Sequence, residues 1–136
     1  MKFSTNNIIV FLFLWLVSSF VSVAKTQENN YLKEVTSADE HFTQAANFLF
    51  QGLLDQSISS FVSAENEYRK SKNEQQIIAC YLGLATCYSL KGDFKKSLKF
   101  NEKALSLHKK SRKDDKEGLD LILSNIALCK QAQQNK

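Results

Sequence analysis

The sequence contains no proline, and only four of its 136 residues are glycine. Sandwiches, barrels and hairpin-rich folds need those residues at their turns, so the scarcity excludes them and leaves an all-α chain. Histidine occurs twice and cysteine three times, too few for a dense metal or disulfide framework. Arginine, the residue suited to bidentate recognition of phosphates and bases, also occurs only twice, and a net charge of +4 falls short of a nucleic-acid-binding balance. No Gly-x-Ser-x-Gly turn, glycine-rich phosphate loop or HExxH pair is present. His41 and His108 have no acidic or cysteine neighbours at ligand spacing, and the adjacent Asp114 and Asp115 read as helix caps. We therefore expect no enzyme activity, no cofactor, no metal site and no nucleic-acid partner.

Long apolar runs are confined to the N-terminus. Lys2 is followed by ten unbroken apolar residues, Ile8 to Val17, and Ser22-Val23-Ala24 places small residues at the minus-three and minus-one positions of a cleavage site. That order is the signature of a secretory signal peptide over residues 1–24, and it predicts an exported protein. The competing reading is an uncleaved anchor, because Ile8 to Ala24 is long enough to cross a bilayer at the lower limit. Residues 25–36 are polar and form a lead-in, and a single domain over 37–136 follows.

Five helices are expected in that domain. A capping box of Ser37 and Glu40 opens the first, which carries Phe42, Ala45, Phe48 and Leu49 at helical spacing. Asp55 caps the second, with Ile58, Phe61, Ala64 and Tyr68, and Asn73 with Gln76 opens the third, with Ile77, Tyr81, Leu84 and Tyr88. Gly92-Asp93 ends the third helix and caps the fourth, which runs from about Phe94 to His108. The lysine-rich stretch Lys109 to Lys116 is a loop, and a box of Asp114 and Glu117 opens the fifth helix, with Ile122, Ile126 and Leu128.

The helix pairs repeat. Ala45, Phe48, Gly52, Phe61 and Ala64 recur 40 residues later as Ala85, Tyr88, Gly92, Asn101 and Ala104, and Leu123, Ile126 and Ala127 lie 42 beyond Tyr81, Leu84 and Ala85. Such periods mark stacked helical hairpins, none of which buries its apolar face alone. The sequence Tyr81, Leu84, Ala85, Tyr88, Gly92-Asp93, Phe94, Ser97 and Ala104 resembles the tetratricopeptide repeat family. The first unit matches through Ala45, Phe48, Gly52, Ser57, Phe61 and Ala64, with His41 as a packing substitute for the family's first aromatic. Asn101 departs from the pattern, standing where an aromatic is usual, and Phe100 beside it is a candidate replacement.

The resemblance implies a right-handed helical-hairpin solenoid of about two and a half repeats, with Ala85 and Ala104 at the closest approach of two helices. It also implies that Cys80, Cys87 and Cys129 occupy small buried positions between helices. Cys80 and Cys87 cannot pair, since seven helical residues separate them by about 10 Å, beyond disulfide reach. The function implied is non-catalytic binding of a partner protein or peptide, the alternative being a membrane-tethered extracytoplasmic sensory domain. Its ligand groove would be lined by Phe42, Ala46 and Leu49, then Leu82, Thr86 and Ser89, then Ser124, Leu128 and Gln131. None of these is charged, which favours an uncharged, partly apolar segment as ligand.

Charge is uneven. Residues 25–90 carry 5 basic and 8 acidic groups, whereas 91–136 carry 12 and 6. Lys95, Lys99 and Lys103 share one side of the fourth helix. They form a solvated basic face with a weaker option, loose contact with an anionic membrane surface or acidic partner.

Overall fold

The computed structural model describes Lys33 and residues 37–134, among which every regular element is a helix. The chain divides into two compact units, Met1–Glu34 and Val35–Lys136. The expected signal peptide over 1–24 lies outside the described residues, as does the 25–36 lead-in apart from Lys33. Among the described residues no helix is long and apolar enough to cross a membrane.

The second unit contains α1, whose described part covers residues 37–50, then α2 (Leu54–Lys70), α3 (Glu74–Leu90), α4 (Phe94–Ser111) and α5 (Lys116–Gln134). Packing runs between consecutive helices, α2 on α3, α3 on α4 and α4 on α5. Phe42 of α1 meets Phe61 of α2 edge-on at 5.5 Å, which joins the first pair. The core threads through the unit as Phe61, Ala64 and Tyr68, then Ile77, Tyr81 and Leu84, then Ala104, Ile122 and Ile126. Ala85 and Ala104 are both buried.

The three turns joining α1 to α4 are built alike. Gly52, Lys72 and Gly92, spaced 20 residues apart, all take positive φ, at +75°, +56° and +76°. In each turn the next residue's N–H reaches back to a carbonyl in the preceding helix: Leu53 to Phe48, Asn73 to Tyr68 and Asp93 to Tyr88, at 2.8 to 2.9 Å. The same geometry then places the helix cap at 53, 73 and 93. Asn73 accepts the Gln76 N–H at 3.3 Å and Asp93 accepts the Lys96 N–H at 3.0 Å. Each such cap contributes about 1 kcal/mol.

This geometry corrects the cap expected at Asp55. The turn puts Leu53 in the cap position, with no side-chain hydrogen bond, and Asp55 falls in the first turn of α2, where it pairs with Lys91. At the other end, α4 continues through Lys109 and Lys110 to Ser111, so the loop is shorter than expected. The cap of α5 is Asp115 rather than Asp114. Asp115 Oδ1 accepts the Gly118 N–H at 2.9 Å, while its Oδ2 is held 3.2 Å from His108 Nε2 and 3.1 Å from Arg112. Asp114 and Glu117 are exposed. Ser37, expected to open α1, is itself helical and donates to Glu67 Oε1 at 3.3 Å. His41, expected to stand in for an aromatic, lies 3.5 Å from the same oxygen.

Candidate functional site

The sequence period reappears as a pair of matching hydrogen-bond sets. The Ser57 hydroxyl donates to the Ala45 carbonyl at 2.8 Å, and the Ser97 hydroxyl donates to the Ala85 carbonyl at 2.8 Å. Each serine oxygen also lies close to a cysteine of the following helix, Cys87 at 3.2 Å and Cys129 at 3.1 Å. Since each hydroxyl proton is already committed to a carbonyl, the thiol is left as the donor. These small residues hold successive hairpins together.

Between α3, α4 and α5 a cavity of about 540 Å³ opens. Ala85, Thr86, Ser89 and Leu90 of α3 form one side, and Asn125, Leu128, Cys129, Gln131 and Ala132 of α5 the other, while Phe94, Ser97 and Asn101 of α4 form the floor. No lining residue is charged, although 24% of the chain is. Leu90 and Leu128 expose most of their surface at its rim. Asn101 is buried, and its Nδ2 donates to the Ser97 carbonyl at 3.1 Å.

Four of the nine groove residues expected from the sequence, Thr86, Ser89, Leu128 and Gln131, come together here. The others do not join them. Phe42 and Leu49 are half-buried and pack against the core, and Ala46 is exposed on α1. Leu82 lines a separate cavity of about 200 Å³ with Ile78, His108, Asp115 and Ile122. Ser124 is exposed and returns its hydroxyl to the Asp120 carbonyl of its own helix at 2.8 Å. Among the described residues the expected groove positions gather at the second inter-repeat contact, whereas at the first Phe42, Leu49 and Phe61 belong to the packed core.

Sequence reasoning left out Asn101, Asn125 and Phe94 as lining residues. The 40-residue offset that matches Phe61 to Asn101 is the signal that finds the first of them. Phe100 does not replace the missing aromatic in this cavity. It stacks on Tyr88 at 5.6 Å with the rings 4° from parallel, and lies 6.1 Å from Tyr81.

Lys95, Lys99 and Lys103 are all exposed on α4. The Lys103 ammonium lies over the Phe100 and Tyr81 rings at 5.0 and 5.4 Å. It borders an opening of about 510 Å³ that also includes Arg69, Lys72, Glu74 and Lys110. Two of those cations are already engaged: Arg69 bonds Glu65 and the Tyr81 hydroxyl, and Lys110 lies 3.7 Å from Glu74. The anion-attracting power of that opening is correspondingly reduced.

All three cysteines are buried and unpaired. Burial, with the Glu65 charge adding to it, pushes the Cys80 thiol up to about 12, and burial also raises Cys87. Neither is a thiolate nucleophile at neutral pH. Among the described residues no three His, Cys, Asp or Glu side chains are grouped to hold a metal ion. Compared with known proteins, the chain matches no family model, no curated protein and no solved structure.

Proposed function

We propose that this chain is a non-catalytic binding module of tetratricopeptide type, a right-handed stack of helical hairpins. It is exported by its N-terminal segment and holds an uncharged, partly apolar segment of a partner protein in the cavity between α3, α4 and α5. The observation that carries this reading is the cavity's lining. A space of about 540 Å³ free of charged residues, on a chain of which 24% is charged, suits apolar and amide groups and gives nothing to compensate a buried charge. The matched serine bonds to the Ala45 and Ala85 carbonyls support the repeat, since equivalent residues do equivalent work one unit apart.

The test is selection of uncharged peptides from a display library, followed by affinity measurement at low and high salt. The parent is expected to bind with little salt dependence, Leu128→Lys to lose binding at least tenfold, and the triple Lys→Gln variant at 95, 99 and 103 to bind like the parent. Loss only in the triple variant, with affinity falling steeply as salt rises, moves the site to the basic face.

A further inference from the structure

The two inter-repeat contacts differ at three matched positions. In the first, Phe61 is buried with its ring against Gly83: a Cβ there would stand 2.5 Å from the ring Cζ. Leu49 packs against the same core. Forty residues on, Phe61 and Leu49 are replaced by Asn101 and Ser89, and 42 residues beyond Gly83 stands Asn125. All three replacements line the open cavity. Asn101 and Ser89 are shorter than the residues they match, and Asn125 takes back only part of the space, so the second contact stays open where the first is closed.

The polar groups introduced there are not all satisfied. Asn101 is 1% exposed, and its Nδ2 donates to the Ser97 carbonyl at 3.1 Å and lies 3.7 Å from Cys129 Sγ. Its Oδ1 has no hydrogen-bond partner among the described residues. Buried acceptors are almost always satisfied, and this one, closed to water but carried by a side chain that lines the cavity, marks where a donor admitted by a small side-chain shift completes the structure. Apolar surface from Phe94, Leu90, Leu128 and Ala132 surrounds it.

We infer that the second inter-repeat notch is an anchor subsite for one aromatic side chain carrying a ring hydrogen-bond donor, a tyrosine phenol or tryptophan indole, within the uncharged segment; this rests on the function proposed above. The ring supplies the apolar contacts that Phe61 and Leu49 make in the first unit, and its O–H or N–H supplies the donor that Asn101 Oδ1 lacks. Phenylalanine would fill the notch and leave that oxygen unpaired. A charged side chain would enter a lining with no opposite charge to receive it. Discrimination thus comes from the orphaned acceptor, since a site built for a donor rejects an analogue that lacks it.

The test uses the full chain, with nuclear magnetic resonance titration of N-acetyltyrosinamide, N-acetyltryptophanamide and N-acetylphenylalaninamide, reading the amides of Ser89, Asn125 and Leu128. The tyrosine and tryptophan probes are expected to bind at least about tenfold more tightly than the phenylalanine probe. Asn101→Leu keeps a side chain of similar length and removes the acceptor, so all three probes should bind it alike. The double variant Asn101→Phe with Asn125→Gly transplants the Phe61–Gly83 pair of the first contact and should exclude every probe while raising thermal stability. Equal affinities in the parent, or an unchanged preference in Asn101→Leu, overturn the subsite. If selected uncharged peptides bind the parent while the probes show no preference, the anchor is wrong and the groove reading stands. If neither peptides nor probes bind, both are wrong.

Discussion

The ring of Phe61 lies against the bare α-carbon of Gly83, so close that a Cβ on that glycine would meet three ring atoms at 2.5 to 2.7 Å. Two hairpins can approach this closely because one offers no side chain where the other offers a phenyl ring. Phe61 has little room to withdraw, being buried and backed by Phe42 at 5.5 Å.

Gly83→Ala should therefore destabilise the fold. Overpacking costs about 1 to 3 kcal/mol, and the gain in helix propensity offsets about 1 kcal/mol of it, leaving a net loss of about 1 kcal/mol. Thermal or urea unfolding measures this, and Phe61→Leu in the same background should recover part of the loss. A Gly83→Ala protein more stable than the parent would show that the two hairpins do not touch at this point.

Lys72 holds the left-handed conformation that Gly52 and Gly92 hold in the sister turns. A lysine pays a steric penalty of about 1 kcal/mol there. Lys72→Gly should stabilise the protein by up to about 0.5 kcal/mol, because the glycine's greater freedom in the unfolded chain offsets about half or more of the relieved penalty. Equal or lower stability in denaturant unfolding would mean the turn after α2 differs from the other two.

The thiols give a chemical readout of packing. In the native protein Cys80 and Cys87 should react negligibly with a disulfide reagent at neutral pH, because burial raises both. Three thiols should titrate once the chain is unfolded without reductant. Rapid reaction in the native state would place these cysteines at the surface, and one thiol after unfolding would reveal a bridge.

Asp115 sets a pH dependence. The Gly118 N–H, and after it His108, hold its carboxyl below the ordinary carboxylate range. A folded value below the unfolded one adds stability that is complete above about pH 4 and disappears as pH falls through the folded value. Asp115→Asn keeps an oxygen for the Gly118 N–H and removes the charge facing His108 and Arg112. Its melting temperature should fall below the parent's near neutral pH, and the two should converge in acid. A gap that stays constant down to strongly acid pH would assign Asp115 a purely neutral capping role.

The helices and their 40-residue offset were legible in the sequence because apolar spacing and the Gly52 and Gly92 turns are local signals. Lys72 gives no such signal, so the 20-residue half-period of the turns emerges only from backbone angles. The choice between Asp114 and Asp115 is likewise invisible locally: two adjacent carboxylates could cap α5, and contacts with His108 and Arg112 select one. The groove was legible where repeat equivalents are small. Ser89 opens onto the cavity, while Leu49, its match 40 residues earlier in the first unit, packs against the core, because side-chain volume at that position decides whether it becomes surface.

The central claim, that the partner segment lies between α3 and α5 over Asn101, is tested most directly by site-specific photo-cross-linking. A photoreactive residue is placed in turn at Ser89, Leu128, Lys99 and Lys103 of the full chain, and each protein is irradiated with a selected uncharged peptide. Adducts should form from positions 89 and 128 and be absent from 99 and 103. Adducts from 99 and 103 alone would contradict the claim and put the binding surface on the basic side of α4.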